Sequence, residues 1–441
     1  MKGGHYAVIG AGASGTLQAL HLLRAGAGRV TMIEREREPG RGTAYGTRRP
    51  EHLLNVTAAR MIVYPDDPDR FARWVEARGG AAGDYAPRMM FGDYLCEELA
   101  AAGPRIERVA GQAVDVVRRG AGEAVLLADG REVAADAVVL ALGNLRPATP
   151  PGIDPEALGA AYVADPWYGG ITDGLGGDDL VLLIGTGLTA IDAALTLDAE
   201  GFGGRILAMS RRGLAPRSNL PDDAAGEWEG GFPADCAELL RSVRRRSAEI
   251  GWRETVLALR PVTQDLWSAA GRDERSRFLR HLRPWWDVHR HRIAPAVADR
   301  IGAMERDGRL AFAAGKLAAV EAAGEGAVVS WRPRGQDAPR RLHVRRIVNC
   351  TGPELDVARA GDPLLSALLA TGRIRPDGLR IGVDVDRECR AIGREGAASP
   401  SLSAIGPITR GAFWESVAVP DIAVQAQAIA RRLIASLWLR A

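Results

Sequence analysis

The first apolar positions of the chain follow the spacing of a strand, a helix and a second strand. Residues 6–9 form a continuous apolar run, which is typical of a buried parallel strand. Leu17, Leu20 and Leu23 then recur at helical spacing, and residues 29–33 form a second apolar run. The pattern therefore predicts a β-α-β unit at the start of the chain.

The same order of elements returns about 175 residues later. Residues 179–184 are apolar, residues 190–200 show a helical pattern, and residues 205–209 predict the next strand. Two such units in a chain of 441 residues predict two or three domains.

The pattern changes between and after these units. Residues 105–139 are rich in valine and alternate, which predicts a β-meander that returns to the first sheet. Residues 216–299 carry helical patterns and predict a helical insertion on the second unit. Strands are predicted over residues 309–331, returning to the second unit, and over residues 346–350, rejoining the first domain. A helix is predicted over residues 419–439.

The turn of the first unit carries the motif Gly10-x-Gly12-x-x-Gly15. Gly10 permits a tight turn, Gly12 lets the backbone approach a pyrophosphate, and Gly15 lets the helix pack on the strand. The helix N-terminus offers N–H groups and a positive dipole end to phosphates. Glu34 stands 24 residues after Gly10, where an acidic side chain binds the ribose hydroxyl pair. We therefore predict a dinucleotide site here.

The second unit carries Gly185-x-Gly187-x-x-Ala190, an accepted variant of the same motif. Arg211 and Arg212 stand at the end of its next strand, where the first unit has Glu34. A guanidinium group matches the oxygens of a 2′-phosphate, so this unit is predicted to bind NADPH in preference to NADH. The alternative interpretation is a solvated arginine pair at a strand end.

Composition and charge exclude several other classes of protein. The net charge is +2 and there is no basic tail, which argues against a nucleic-acid partner. No apolar run approaches the ~20 residues that span a bilayer, so no membrane association is expected. The first strand begins too early to leave room for a signal peptide, so a cytoplasmic protein is expected.

Cysteine and histidine spacing argues against two further kinds of site. The four cysteines are far apart, which disfavours a disulfide-reductase mechanism and a zinc ribbon. His289 and His291 would lie on opposite faces of a helix, with no obvious third ligand. We therefore predict no metal site.

Several longer segments carry a family resemblance. They are GRGTAYG, HLLNV, LALGN, GTGLTAID, VNCTG, PWWDVHRHR and RGAFWESVAVPDI. With the two glycine motifs, they resemble the bacterial FAD/NAD(P)-binding flavoproteins of the two-dinucleotide-binding-domain superfamily, which are related to flavin-dependent N-hydroxylating monooxygenases. The resemblance covers nearly the whole chain. Its motifs are specific for the class of cofactor and not for the substrate.

The resemblance implies an α/β fold with two Rossmann-like dinucleotide-binding domains and a helical insertion in the second. Residues 1–150 and 345–441 are expected to form the FAD-binding domain. Residues 151–215 and 300–344 are expected to form the NADPH-binding domain. The insertion, residues 216–299, is expected to supply a lid and a substrate pocket.

The resemblance also implies the site residues. The expected cofactor-binding residues of the first domain and its returning segments are Gly10, Gly12, Ala13, Ser14, Gly15, Glu34, Arg35, Arg41, Thr43, Asn55, Val56, Gly143, Gly352, Gly406 and Gly411. Those of the second unit are Gly185, Gly187, Leu188, Thr189, Arg211 and Arg212. The catalytic candidates are Asn55, with a turn hydrogen bond as the alternative, and Trp414, with a cap and staple of the last helix as the alternative.

Two departures from relatives bear on the chemistry. Many relatives carry Gly-Asp where this chain has Gly406-Pro407, which puts the usual ribityl contact in doubt. No histidine lies between His52 and His281, which disfavours the Baeyer–Villiger and amine-oxidising subclasses with their histidine signature.

The sequence thus favours an FAD-dependent, NADPH-using oxidoreductase. The leading hypothesis is a monooxygenase that uses O₂, through a flavin hydroperoxide, to oxygenate a nitrogen or other soft nucleophile of a small amine or amino acid. One alternative is an NADPH-dependent flavin reductase that passes electrons to a quinone or a protein. The other is a flavin-bound redox sensor with negligible turnover.

Overall fold

The chain forms two large sheets whose central strands run parallel. Each sheet carries one of the glycine motifs at the end of a strand. The computed structural model describes residues 4–35, 38–220, 226, 231–233 and 235–438. Leu439, where the last helix was predicted to end, lies outside the described residues.

Strands alternate with helices in both halves of the molecule. The strands are β1 (His5–Ile9), β2 (Arg29–Glu34), β3 (Ile106–Ala110), β4 (Ala113–Arg119), β5 (Gly122–Leu127), β6 (Glu132–Ala135), β7 (Ala137–Leu140), β8 (Tyr162–Val163), β9 (Leu180–Ile184), β10 (Arg205–Ser210), β11 (Leu310–Ala323), β12 (Gly326–Pro333), β13 (Arg340–Val344), β14 (Arg346–Asn349), β15 (Arg390–Ile392) and β16 (Ala398–Ala404).

The helices cluster in the insertion and on the faces of the sheets. They are α1 (Ala13–Arg24), α2 (Gly42–Tyr45), α3 (Arg70–Glu76), α4 (Arg88–Ala101), α5 (Pro155–Leu158), α6 (Leu188–Ala199), α7 (Cys236–Ile250), α8 (Trp252–Leu259), α9 (Thr263–Ala269), α10 (Arg272–Arg277), α11 (Arg283–Arg290), α12 (Pro295–Arg306), α13 (Pro363–Ala370) and α14 (Val419–Trp438). A π-helical turn, Phe278–Leu282, joins α10 to α11.

The first sheet has the strand order β15-β16-β7-β1-β2-β3. Strands β3, β2, β1, β7 and β16 run parallel, and β15 is antiparallel to β16 at the edge. The predicted meander forms β4, β5 and β6 as a separate three-stranded sheet, and β7 then returns to the first sheet. Ligands of such sheets bind at the carboxyl ends of the strands, where β1 delivers the first glycine motif.

The second sheet has the order β13-β12-β11-β10-β9-β14-β8. The prediction that residues 346–350 rejoin the first domain is wrong, because β14 pairs parallel with β9 and β8 in the second sheet. All four residues of β14 are buried, and Asn349 lies opposite Ile184. The apolar run was correctly identified as a strand, but its sequence holds no information on which sheet edge it pairs with.

Separate hydrophobic cores cover the sheets. Helices α1, α3, α4 and α14 cover one face of the first sheet, with Leu17, Tyr94 and Ile429 in the core between them. Strands β4 and β5 and helix α13 cover the other face, around Val116 and Leu365. The second sheet has its own cores on its two faces.

The insertion is helical, as predicted, and packs back onto the first unit. Trp267 of α9 and Trp414, which precedes α14, share a small core. Their rings stack with centroids 4.7 Å apart. Trp267 Nε1 donates to the carbonyl of Gly411 at 2.9 Å. The insertion is therefore attached to the segment that leads into the last helix.

Candidate functional site

The first glycine motif forms the tight turn that its residue types predict. Gly10 has φ +98°, and a side chain there would meet the Ala141 carbonyl oxygen at 2.4 Å. A Cβ at Gly15 would lie 1.8 Å from the Gly10 carbonyl oxygen, so α1 approaches the turn at backbone distance. The N-terminus of α1 is thereby held at the end of β1, where its free N–H groups suit a phosphate.

Glu34 lies at the end of β2, beside the same turn. Its Oε2 accepts a hydrogen bond from the Ala11 backbone N–H at 2.7 Å. Arg35 follows, with its Nη1 3.8 Å from an Asp362 carboxylate oxygen. Asp362 caps α13 by accepting from Leu365 N–H at 3.1 Å. Two acidic groups and an arginine therefore border the mouth of the turn.

A cavity of about 540 Å³ opens over the motif. This volume lies within the range of small-molecule sites. Of the predicted residues, those that line it are Gly10, Gly12, Ala13, Ser14, Glu34, Arg35, Arg41, Thr43 and Gly143. Pro407, Val417, Val419 and Ile422 line it from the C-terminal segment. Residues that are distant in sequence thus meet around one elongated site.

Arg41 is directed partly away from this cavity. Its Nη2 lies 2.5 Å from a carboxylate oxygen of Asp93 on α4. Its side chain is 12% exposed, so the ion pair holds most of the guanidinium against α4. Arg41 borders the cavity, while its charge is already balanced by Asp93 and, at 3.9 Å, by Glu38.

Asn55 and Val56 do not line the cavity. The Asn55 carbonyl accepts from Asn219 Nδ2 at 3.0 Å, and Val56 packs on the core of the first unit. Of the two residues before Asn55, Leu53 packs on a core of the second sheet and Leu54 on a core of the first sheet. The segment therefore lies where the two units meet, and the described contact of Asn55 is structural.

Gly406 and Gly411 are both close-packed positions. A Cβ at Gly406 would lie 2.6 Å from Ser14 Oγ, and one at Gly411 would lie 2.5 Å from Asp377 Cγ. Gly406 N–H donates to Gln425 Oε1 at 3.1 Å. The intervening Pro407 is the residue of this turn that reaches the cavity.

The second glycine motif repeats the same turn at the end of β9. Gly185 has φ +126°, and its Cβ would meet the Cys350 carbonyl oxygen at 2.2 Å. A Cβ at Gly187 would meet no atom within 4 Å, so the space before α6 is open. Leu188 and Thr189 form the first turn of α6. Gly352 follows β14 and therefore lies beside this second motif, not beside the first.

Arg211 and Arg212 follow β10, one strand away from the second motif. Arg211 is exposed, and Arg212 Nη2 donates to the His281 carbonyl of the insertion at 3.4 Å. The turn between them and the motif is held by Thr186, whose hydroxyl donates to Ser210 Oγ at 2.9 Å. This arrangement leaves Arg211 accessible to a bound nucleotide.

A set of charged side chains, here called the charged cluster, lies where the insertion meets residues 410–421. Its members are Arg260, Arg283, Asp287, Arg290, His291, Arg410, Glu415 and Asp421. Burial, followed by the neighbouring arginines, lowers the pKa of His291 well below its usual value, so its imidazole is neutral. Burial also raises the pKa of Asp287.

Trp414 links the charged cluster to a second cavity. The Arg410 guanidinium carbon lies 4.2 Å from the Trp414 ring centroid. The same indole lines a cavity of about 650 Å³ inside the insertion, with Trp252, Trp267 and Phe278 among its other walls. The catalytic candidate Trp414 is thus 2% exposed and packs against the insertion, five residues before α14 begins.

Comparison with known proteins adds to this geometry. Residues 7–145 match the protein family described as FAD-NAD(P)-binding. A reduced ornithine hydroxylase from Pseudomonas aeruginosa superposes with a TM-score of 0.68 at 17% identity, over 98% of this chain and 99% of that chain. An L-lysine 6-monooxygenase from Pseudomonas syringae gives 0.69 at 16% identity, over 98% and 100%. The chain shares its two-domain α/β fold with these proteins.

One relative is also similar in sequence to part of this chain. An L-aspartate N-monooxygenase (nitrosuccinate-forming) from Streptomyces cremeus is 30% identical over 273 residues. The match spans 47% of this chain and 40% of that protein. The predicted fold class and the predicted relationship to N-hydroxylating flavoproteins are confirmed.

Several polar residues of the site were not predicted from the sequence. Asp362 and Gln112 line the first cavity, and Gln425 binds the turn at Gly406. Asp362-Pro363 is a recognisable helix start, so its place at a helix N-terminus could have been predicted. Gln112 and Gln425 carry no such signal, because their roles depend on how distant segments pack.

Two negative findings apply to the described part of the chain. None of its helices is both long and apolar enough to cross a bilayer. No group of three His, Cys, Asp or Glu residues there is arranged to hold a metal ion. His289 instead lies edge-on to Trp252 at 4.7 Å, and its Nδ1 is 2.7 Å from the Trp285 carbonyl.

Proposed function

We propose that this chain is an FAD- and NADPH-dependent monooxygenase that hydroxylates the nitrogen of a small amine or amino acid. The observation that carries the proposal is the docking of the insertion against residues 411–414, next to Pro407 and Val417 of the cofactor cavity. This docking buries polar side chains on the segment whose residues Pro407 and Val417 line the cavity, and burial would shield a substrate from water.

The first cavity fits a flavin dinucleotide. Gly12 and the N-terminus of α1 would hold the pyrophosphate, and Glu34 would hold the adenosine ribose. Pro407, Val417, Val419 and Ile422 line the same cavity and would meet the flavin end. Bound FAD supplies electron transfer from NADPH to O₂. The chain's own contribution is to bind, orient and shield the reactants.

The second motif would hold NADPH. Gly187 and the start of α6 leave open space for its pyrophosphate, and the exposed Arg211 suits the 2′-phosphate. The balanced reaction is R–NH₂ + O₂ + NADPH + H⁺ → R–NHOH + H₂O + NADP⁺. One oxygen atom enters the product and the other leaves as water.

The cysteines support an oxygenase over a disulfide reductase. All four, Cys96, Cys236, Cys350 and Cys389, are free thiols. Burial raises the pKa of the Cys350 and Cys389 thiols, to about 12 for Cys389, which makes both poor nucleophiles. The Streptomyces relative, an N-monooxygenase by name, supports the same choice.

The test is substrate-dependent NADPH oxidation in air by FAD-loaded protein. L-aspartate, L-ornithine, L-lysine and cadaverine are supplied in turn, and peroxide, O₂ uptake and product mass are followed together. The proposal expects one substrate to gain an oxygen atom derived from isotopically labelled O₂, with little peroxide. NADPH oxidation that reduces added quinones but never yields an oxygenated amine would identify a reductase. Absence of flavin reduction by NADPH would favour the redox sensor.

A further inference from the structure

Arg410 is a buried cation that forms no ion pair with any residue in the described part of the chain. Its residue is 8% exposed, and no carboxylate oxygen of the described residues lies within the 4.0 Å of an ion pair. Its Nε is buried without a hydrogen-bond partner. Its guanidinium instead rests over the Trp414 ring. Burial and then Arg283 lower the pKa of Arg410 to about 10, so the group remains charged at neutral pH.

The acids around Arg410 already have partners. Asp287 is 3.3 Å from Arg283, and Glu415 is 2.9 Å from Arg290. Both carboxylates act on the charge of Arg410 from a greater distance. A third acid of the cluster, Asp421, pairs with Arg260. His291 is neutral, so the described members of the cluster carry one positive charge more than their carboxylates balance.

Such an arrangement is unfavourable unless an anion joins it. A buried charge normally has a partner, because desolvation is not otherwise compensated. A guanidinium group binds a carboxylate through two parallel N–H···O bonds. The unbalanced charge therefore indicates the place of an anionic ligand group.

The same cluster also holds unused hydrogen-bond acceptors. Asp287 Oδ1 and Glu415 Oε1 are buried and make no hydrogen bond. Each belongs to a carboxylate whose other oxygen is paired with an arginine. A ligand that brings both a carboxylate and N–H donors would satisfy the cation and these acceptors together.

We infer that Arg410 binds a carboxylate of the substrate, and that the substrate is an amino acid and not a simple amine. This inference rests on the proposed function. Arg410 follows Pro407 by three residues and precedes Val417 by seven, and both of those residues line the cofactor cavity, so the segment that carries Arg410 begins and ends at that cavity. The amino group would donate to the Asp287 or Glu415 oxygen. Arg410 is thus a specificity-determining residue.

The test uses succinate, a carboxylate without an amino group, so that binding is measured without turnover. FAD-loaded protein is titrated calorimetrically at constant ionic strength, with chloride as the compensating anion. Saturable binding is expected, with at least a tenfold weaker affinity in R410Q. R410K keeps the positive charge but lacks the planar guanidinium group, so its affinity for succinate is expected to lie between that of R410Q and that of the unaltered protein. Because Trp414 underlies Arg410, succinate should also change indole fluorescence, and W414F should remove that change.

Arg275 offers a matched control. Its guanidinium lies 5.2 Å from the Trp267 ring centroid, but its donors are used by backbone carbonyls such as that of Ala270 at 2.9 Å. R275Q should therefore leave succinate affinity unchanged. Equal affinities in R410Q and the unaltered protein, or no saturable binding of succinate, would overturn the inference.

Turnover separates this inference from the proposed function. Efficient, coupled hydroxylation of cadaverine, with no reaction of any amino acid, would overturn the role of Arg410 and leave the monooxygenase intact. Failure of NADPH to reduce the flavin would overturn the monooxygenase. Succinate binding that depends on Arg410 would then still establish the anion site.

Discussion

Arg88 and Asp192 form a largely buried, bidentate ion pair between the two dinucleotide-binding units. Arg88 begins α4 of the first unit, and its two Nη atoms lie 2.8 and 3.1 Å from the carboxylate oxygens of Asp192 on α6. Asp192 is 5% exposed. His52 bonds the same helix, with its Nε2 3.0 Å from Thr196 Oγ1. Helix α6, which begins at the second glycine motif, is thus held directly by the first unit.

Removal of one charge from this pair should destabilise the protein strongly. D192N leaves the largely buried Arg88 guanidinium opposite a neutral amide, and loss of one partner of a buried pair costs roughly 3–5 kcal/mol. Thermal unfolding should show a clear drop in midpoint. R73A, which breaks the Arg73–Asp67 pair at the surface, is the control and should hardly move it. An unchanged midpoint in D192N would show that the pair does not hold the units together.

Stability should fall as the pH drops below about 6.5, in part because of His52. Burial lowers the pKa of His52, so the folded protein keeps this imidazole neutral. Below pH ~6.5 this imidazole binds a proton in the unfolded chain but not in the folded chain. The free energy of unfolding therefore falls by up to about 1.4 kcal/mol per pH unit. The contribution of the neutral His52 to the free energy of unfolding is complete above pH ~6.5 and decreases below it.

The measurement is the difference in unfolding midpoint between about pH 7.5 and pH 5.5. H52Q should reduce this difference, although His21 and His291 have lowered pKa values as well and will preserve part of it. H343Q makes the same change at an exposed position of β13 and should behave as the unaltered protein. If the midpoint differs between the two pH values by as much in H52Q as in H343Q, His52 does not contribute to the pH dependence of stability.

Charge reversal at Arg211 should discriminate between the two nicotinamide cofactors. R211E should raise KM for NADPH by tenfold or more and leave KM for NADH nearly unchanged, because only NADPH carries the 2′-phosphate. Steady-state reduction of the flavin with each cofactor measures both constants. R205E, at the exposed opposite end of β10, is the matched control. Equal effects on both cofactors would refute the 2′-phosphate assignment.

A methyl group at Gly15 should abolish FAD binding. In G15A the new Cβ would overlap the Gly10 carbonyl oxygen, so α1 must move away from the turn. We expect more than a tenfold loss in FAD content of the purified protein, together with a lower unfolding midpoint. G83A, where a Cβ meets no atom within 4 Å, should retain both. Full FAD content in G15A would show that this turn does not bind the cofactor.

Local signals explain what the sequence could predict. The glycine turns, Glu34 and the helical period after each motif are set by residues close together in the chain, so strands β1 and β9 and their helices were placed correctly. The start of α6 was missed by two residues, since Leu188 and Thr189 carry no cap signal.

Long-range packing explains what the sequence could not predict. β14 pairs with β9 and β8 in the second sheet, and a buried four-residue strand does not itself specify its partner. Likewise, Arg410 and Asp287 are more than a hundred residues apart, and neither belongs to a motif that indicates their proximity. The charged cluster exists only once the insertion has docked on the first unit.

The π-helical turn Phe278–Leu282 sets the rotation of α11 and thereby the composition of that cluster. A π turn accommodates one residue more than a regular helix of the same length. Loss of a single residue from it would rotate α11 by about 100° relative to α10. Arg283, Asp287 and Arg290 share one side of α11, so all three would leave the cluster together. The exact number of residues in this turn therefore determines which side chains of α11 reach the cluster. It contributes to substrate specificity as much as those side chains do.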